Sequence, residues 1–275
     1  MNRTCFDLSK PLILVSNDDG YNADGLRAIV QAIRGWSNVI VCAPSGPRSG
    51  FACAITTGTP VHLDFIEQDT DYEVWSCSGT PVDCVKIALE KVCPRRPDLL
   101  ISGINHGDNA SISLLYSGTM GAAFEGCMKG IPSIGLSLYL KRGMTYAEHP
   151  VDEATLQATS MLCRKVIEQG LPPHVCLDVN YPLDVPFKGW RLCRQCWGSW
   201  SAEWNDAEEN TDSTHRSYFL TGIFTNLEPT ATDTDMHALS QGFCSIVPVT
   251  ADLTAYDTLN SLLGTAHGTL ELLNP

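Results

Sequence analysis

The apolar positions of this chain fall into short unbroken runs separated by stretches of helical period. Residues 11–17 (PLILVSN) and 39–43 (VIVCA) are continuous apolar runs, as expected of strands buried on both faces. Between them Leu26, Ile29, Val30 and Ile33 recur at helical spacing across residues 25–35. Strand, helix, strand in so short a span is a βαβ unit, which requires a parallel sheet. The pattern repeats. Residues 61–66 and 72–76 predict two further strands. Thr80-Pro81-Val82-Asp83 predicts a helix start, with a cap, a proline in the first turn and an acid at the third position, and the helix runs to about residue 92. Residues 97–102 predict a strand followed by a loop over 103–109. Ser117 caps a helix through 128, residues 131–138 form a strand, 151–170 an amphipathic helix and 175–181 a strand.

After Pro182 the pattern changes. Residues 189–225 carry many aromatics, short alternating runs and an acidic loop at 205–212, which predicts β-hairpin material off the main sheet. A short helix over 230–240, a strand over 243–249 and a helix over 255–263 complete the chain. The expected fold is α/β: a Rossmann-like, mostly parallel sheet flanked by helices, with a C-terminal β-hairpin extension. The expected organisation is a catalytic core at 1–182 and a C-terminal part at 183–275 with a hairpin excursion, a returning strand and a helix.

Composition changes this picture little. Of 275 residues, 44% are hydrophobic and 18% charged, enough for a sizeable core. The net charge of −13, with no Lys/Arg-rich run, argues against duplex nucleic acid or an anionic membrane surface as partner. An acidic protein acting on a phosphate must therefore build local positive potential from a metal ion, a helix N-terminus or a few arginines. The 12 cysteines are scattered and mostly lie in apolar runs, which reads as reduced, buried cysteine rather than a disulfide framework. Cys193 and Cys196 form one CxxC, with no second pair for a zinc site. The N-terminal run is short and ends in acids, unlike a signal peptide, and no run is long enough to span a membrane, so the expected compartment is the cytoplasm.

In an open parallel sheet, ligands bind beyond the carboxyl ends of the strands. Four segments fall there: residues 16–20, 43–50, 76–81 and 102–109. Asp18 and Asp19 follow the first strand directly; two adjacent carboxylates repel, and a dication removes that penalty. The same Asn-Asp-Asp-Gly is good turn chemistry, and both readings stay open. Asn105 offers a hard oxygen suited to Mg²⁺ or Mn²⁺, or caps a strand end. Ser49 and Gly50 lie where backbone N–H groups can approach an anion, and Arg48 either clamps a phosphate or stays solvated. Ser117-Gly118-Thr119 opens a helix and offers hydroxyls and free N–H groups to an anion, with Asn109 before it. His106 is a candidate proton donor.

Taken in order, LVSNDDG, APSGPRSG, GTPVDCV, SGINHGDN and YSGTMGAAFEG strongly resemble the SurE family of survival-protein nucleotidases, and the likeness continues through TDMHALSQGFCSIVPVTADLT. The resemblance implies a metal-dependent phosphomonoester hydrolase that removes phosphate from nucleoside 5′- and 3′-monophosphates, some members also cleaving short polyphosphate. It implies one divalent metal per subunit, Mg²⁺ or Mn²⁺, on Asp18, Asp19, Ser49 and Asn105. Asp18 and Asp19 are the implied catalytic pair; Gly50, Asn109, Ser117, Gly118 and Thr119 are the implied phosphate contacts. It further implies segment exchange between subunits, giving a homodimer or homotetramer. Residues 198–216 match no family pattern. The rival readings are a nonenzymatic nucleotide-binding subunit and a receiver-like signalling domain. The latter lacks the lone acceptor Asp and the Lys where that fold needs them.

Overall fold

The computed structural model describes residues 6–140, 144–182, 186–207 and 216–264. Residues 208–212 of the predicted acidic loop lie outside the described residues. A nine-stranded sheet organises the chain. Its strands are β1 (Leu12–Ser16), β2 (Asn38–Pro44), β3 (Leu63–Gln68), β4 (Tyr72–Cys77), β5 (Leu99–His106), β6 (Ser133–Leu138), β7 (Val175–Tyr181), β8 (Trp190–Leu192) and, from the C-terminal region, β13 (Cys244–Thr250). Their spatial order is β3-β4-β2-β1-β5-β6-β7-β13-β8. From β4 to β7 every pairing is parallel. That stretch has the order of a doubly wound nucleotide-binding sheet, in which the chain leaves β1 in one direction and returns through β5 in the other.

The helices cover both faces. Helices α1 (Asp24–Ile33) and α4 (Glu153–Gln169) lie on one, α2 (Pro81–Ile87) and α3 (Gly118–Met128) on the other. β1 shows why its sequence is apolar throughout. Ile13 and Val15 join the core under α1 and α4, Leu12 and Leu14 the core under α2 and α3, and all four are fully buried. A strand in the middle of a covered parallel sheet has no wet face. Thr80 forms the expected reciprocal cap: its hydroxyl accepts from Asp83 N–H, and the Asp83 carboxylate accepts from Thr80 N–H.

Three features differ from the sequence expectation. β5 runs through the predicted loop to His106, with its register against β6 shifting between Ser102 and Asn105. Asn105 therefore projects from a bulged strand end, opposite Ser137. β13 returns antiparallel beside β7, and β8 pairs with β13 in parallel, so part of the region expected off the main sheet is its edge. The rest does leave the sheet as a two-part ribbon: β9 (Gly198–Ser201) pairs with β12 (Ile223–Asn226), and β10 (Trp204–Asp206) with β11 (Tyr218–Leu220). Helices α5 (Asp235–Ser240) and α6 (Tyr256–Gly264) flank β13 in sequence. No described helix is long and apolar enough to cross a membrane.

Helix α1 sits directly on β5 because Gly25 has no side chain: a Cβ there would collide with the Ile104 carbonyl oxygen and carbon. Backbone cannot step aside as a flexible side chain can. Gly25→Ala should lower stability by ~1–3 kcal/mol, the scale of overpacking a rigid contact. The urea unfolding midpoint reads this, and an unchanged midpoint would show that α1 is not seated as described.

Candidate active site

The turn after β1 is built by Asn17. Its side-chain amide donates to Gly20 O at 2.9 Å, and its side-chain oxygen accepts from Gly20 N–H at 3.1 Å. The turn reading of Asn-Asp-Asp-Gly is therefore correct for Asn17 and Gly20, and it leaves both intervening acids free to point elsewhere.

Asp18 is 3% exposed and faces the first turn of α3. The Thr119 hydroxyl donates to Asp18 Oδ1 at 2.5 Å. Gly118 allows this approach, since a Cβ there would lie 2.9 Å from the Asp18 Cβ and 3.0 Å from Oδ2. Burial pushes the Asp18 carboxyl up to about 6. The Thr119 hydrogen bond opposes that shift, and the neighbouring Asp19 charge adds to it. Burial raises Asp19 too, opposed by the His106 backbone N–H, which donates to Asp19 Oδ2 at 3.0 Å. Among the described residues no Lys or Arg is ion-paired with either acid.

The next loop hangs from the same turn, because Arg48 N–H donates to the Asp18 carbonyl at 2.7 Å. The Arg48 guanidinium does not clamp an anion. It donates to Ser78 O at 2.9 Å and Gly79 O at 3.4 Å, which ties residues 46–50 to the turn before α2. That fixes Ser49 and Gly50, both exposed, at the rim of a cavity of about 450 Å³. Asp18, Asn105, His106, Asp108, Asn109 and Ser117 line the same cavity. Seven of the positions singled out in the sequence (Asp18, Ser49, Gly50, Asn105, His106, Asn109, Ser117) thus meet on one space. Asp19, Gly118 and Thr119 stand just behind it, through the contacts given above.

The individual groups are differently committed. Asn105 Nδ2 donates to Gly107 O at 2.8 Å, which fixes the orientation of its amide. Asn109 N–H donates to Asn180 Oδ1 at 2.8 Å and its amide to Ser137 Oγ at 2.7 Å. Ser117 Oγ accepts from Met120 N–H as the α3 cap and retains its own proton. His106 is exposed, with Nε2 3.0 Å from Met144 O. In the CxxC the Cys193 thiol donates to Arg191 O, and the Cys196 thiol to Asn226 Oδ1.

Two groups of contributors were missed in the sequence. The ribbon supplies Trp200, Glu203, Leu220 and Thr221 to the cavity wall. Their placement depends on a long-range fold-back that periodicity does not reveal. The second is Asp178, fully buried in β7, with Oδ1 accepting from Asn180 Nδ2 at 3.1 Å and Oδ2 without a partner. An acid inside the buried run VCLDVNY was its signal. Through Asn180 it braces the Asn109 loop. Burial, then the charges of Asp235 and Asp108, hold its carboxyl well above the ordinary range.

Whether a hard dication fits can be judged from these donors. Two carboxylates with no basic partner, an amide oxygen and a hydroxyl are all hard oxygens, and the carboxylates carry the charge a dication would neutralise. Among the described residues no cluster of three or more His, Cys, Asp or Glu has ligating geometry, so the amide and hydroxyl oxygens of Asn105 and Ser49 would have to complete the set.

Fold and site together define a doubly wound α/β protein with paired acids and a helix N-terminus converging at the switch point of its sheet. Known proteins share this organisation. The family described as Survival protein SurE matches residues 13–202. A Phocaeicola vulgatus protein named 5′-nucleotidase SurE is 46% identical over 256 residues, covering 92% of this chain and 96% of its own. A protein of the same name from Bacteroides fragilis is 42% identical over 253 residues, covering 92% and 96%. The crystal structure of the SurE protein from Aquifex aeolicus superposes with a TM-score of 0.74 at 29% identity, covering 92% of this chain and 98% of that one. The chain belongs to the SurE family.

Asp178 generates a pH prediction. Below the unfolded carboxylate pKa of ~3.9 both states hold the proton; above it the unfolded chain ionises first, so stability falls as pH rises. Asp178→Asn, which keeps the shape of the protonated acid, should flatten that fall. Urea midpoints from pH 4 to pH 8 should converge at the acid end and favour the variant at the alkaline end. Parallel profiles would contradict the raised carboxyl.

Proposed function

We propose that this chain is a 5′-nucleotidase: a phosphomonoester hydrolase that removes phosphate from nucleoside monophosphates, 3′-monophosphates and short polyphosphate being further substrates. Two kinds of support converge. Relatives at 42–46% identity over nearly the whole chain are named for that activity. The single structural observation that carries it is the pair of adjacent, largely buried carboxylates at the switch point, paired with no basic side chain among the described residues and set against a helix N-terminus.

One divalent cation per subunit, Mg²⁺ or Mn²⁺, is the cofactor this reading requires, with Asp18, Asp19, Ser49 and Asn105 as its holders. When bound, it supplies positive charge against the phosphate and a lowered pKa for water. The chain does the rest. Ser117 retains a hydroxyl proton to donate to a phosphate oxygen, and the N-terminus of α3 at Gly118 favours the anion, while the Thr119 backbone N–H is turned to the Asp18 carboxylate. Gly50 brings backbone close to the phosphate, and Asn109 is held by Asn180 and Ser137 where it can contact the same group. Thr119 acts chiefly on Asp18, fixing the rotamer of that acid. Asp18 or Asp19 orients the attacking water and accepts its proton. In this reading residues 1–182 form the catalytic core and residues 183–275 the C-terminal part that walls the cleft.

The setting is cytoplasmic and the active form a homodimer or homotetramer. The described cysteines are unpaired, which supports a reducing compartment. Trp197, Trp204, Phe219 and Ile223 are exposed on the ribbon, which supports its being covered by a second copy; light scattering should give a dimer or tetramer mass, and a monomer would refute this.

The direct test is hydrolysis of a chromogenic phosphomonoester and of adenosine 5′-monophosphate with added Mn²⁺. Activity should vanish in excess EDTA and return with metal. Asp19→Asn should lower kcat by about 100-fold or more, the scale of a lost electrostatic contact in a transition state. Full activity of that variant at saturating Mn²⁺ would remove Asp19 from the site.

A further inference from the structure

The cleft is lined from two unlike sources. The doubly wound core supplies Asp18, Asn105 and Ser117, and the ribbon supplies Trp200, Leu220, Thr221 and Glu203. Trp200 is 37% exposed, and its position is set from several sides. It pairs across the strands with Phe224, the rings meeting edge to face at 5.5 Å and 64°. Phe224 in turn packs into the space that a side chain on Gly198 would fill. Gly222, at φ +145°, leaves room for the indole: a Cβ there would sit 2.9 Å from Trp200 Cε3. A second cavity of about 530 Å³, lined by Tyr139, Leu140, Phe224 and Met236, adjoins the first and shares Trp200, Leu220 and Thr221 with it.

A packed indole in the wall of a cleft that also holds the paired acids and the start of α3 matches a molecule carrying both a phosphate and a flat aromatic system. We propose that Trp200 is the stacking platform for the nucleobase and so determines specificity for nucleotides over other phosphomonoesters. This rests on the nucleotidase reading of the same site. Every base presents a π-face, so the platform accepts all of them, and a two-ring base gains most contact. The space beyond Trp200 leaves room for that larger base. Stacking is remote from the reacting phosphorus and is equal in the ground and transition states, so it lowers KM and leaves kcat alone.

The experiment compares adenosine 5′-monophosphate, uridine 5′-monophosphate and ribose 5-phosphate on the full chain with Mn²⁺. The wild-type KM should rise in that order. Trp200→Ala should raise the KM for the adenosine nucleotide by roughly 5- to 100-fold, the range that loss of one base–aromatic stack gives, with kcat unchanged and ribose 5-phosphate kinetics unchanged. Trp200→Phe should recover most of the loss. Trp200→Leu, which keeps apolar bulk against Phe224 but has no π-face, should behave like the alanine variant and serves in its place if that variant does not fold. An unchanged nucleotide KM in the leucine variant, or an equal loss on ribose 5-phosphate, would overturn the platform. If the wild-type protein hydrolyses none of the three, the nucleotidase reading fails instead. The platform is then judged by calorimetric binding of free adenosine, where equal affinity of wild type and Trp200→Leu, or no binding by either, overturns it.

Discussion

Two adjacent carboxylates sit at the carboxyl end of β1 with no basic side chain among the described residues paired to them, and the surrounding structure is arranged around that fact. The Asp18 carbonyl holds the loop carrying Ser49 and Gly50, its carboxylate is gripped by Thr119 at the start of α3, and Asp19 holds the end of β5 through the His106 N–H. Three segments distant in sequence are therefore registered on one short turn. Burial without a counter-charge is costly for a carboxylate, and the upward shift of both acids expresses that cost. A bound dication reverses the sign of the problem: the groups that destabilise the empty turn become the ones that organise it.

The sheet explains why this happens here. β1 and β5 are neighbours whose connections depart to opposite faces, so a crevice opens between their carboxyl ends. β1 delivers the acids and β5 delivers Asn105. The first turn of α3, packed on the α2 side, closes the crevice with Ser117. The doubly wound core thus brings Asp18, Asn105 and Ser117 to the cleft, and the ribbon that follows β8 brings Trp200 and Leu220 together with Glu203 and Thr221.

Much of this was legible in the sequence because it was local. Continuous apolar runs marked β1, β2 and β7, and Thr80 with Asp83 marked the start of α2. The acids stood out as charge at the end of a run that had none. What was not legible depended on partners far along the chain. β8 is three residues long and belongs to the sheet only through β13, some fifty positions away. The bulge that makes Asn105 part of β5 arises from its pairing with β6. Arg48 looked available for an anion until the carbonyls of Ser78 and Gly79 were brought within reach. Trp200 and Leu220 come to the cleft only when β9 to β12 fold back. Asp178 was the exception, visible as an acid in an apolar strand and passed over.

The central claim is that a dication occupies the turn after β1. The measurement that tests it most directly is anomalous diffraction from a crystal of the full chain soaked in Mn²⁺ and vanadate. One manganese peak per subunit should lie at ligand distance from oxygens of Asp18, Asp19 and Asn105, with vanadate against Ser117 and the start of α3. Carboxylates left without metal at saturating Mn²⁺, or manganese bound only elsewhere on the molecule, would contradict it.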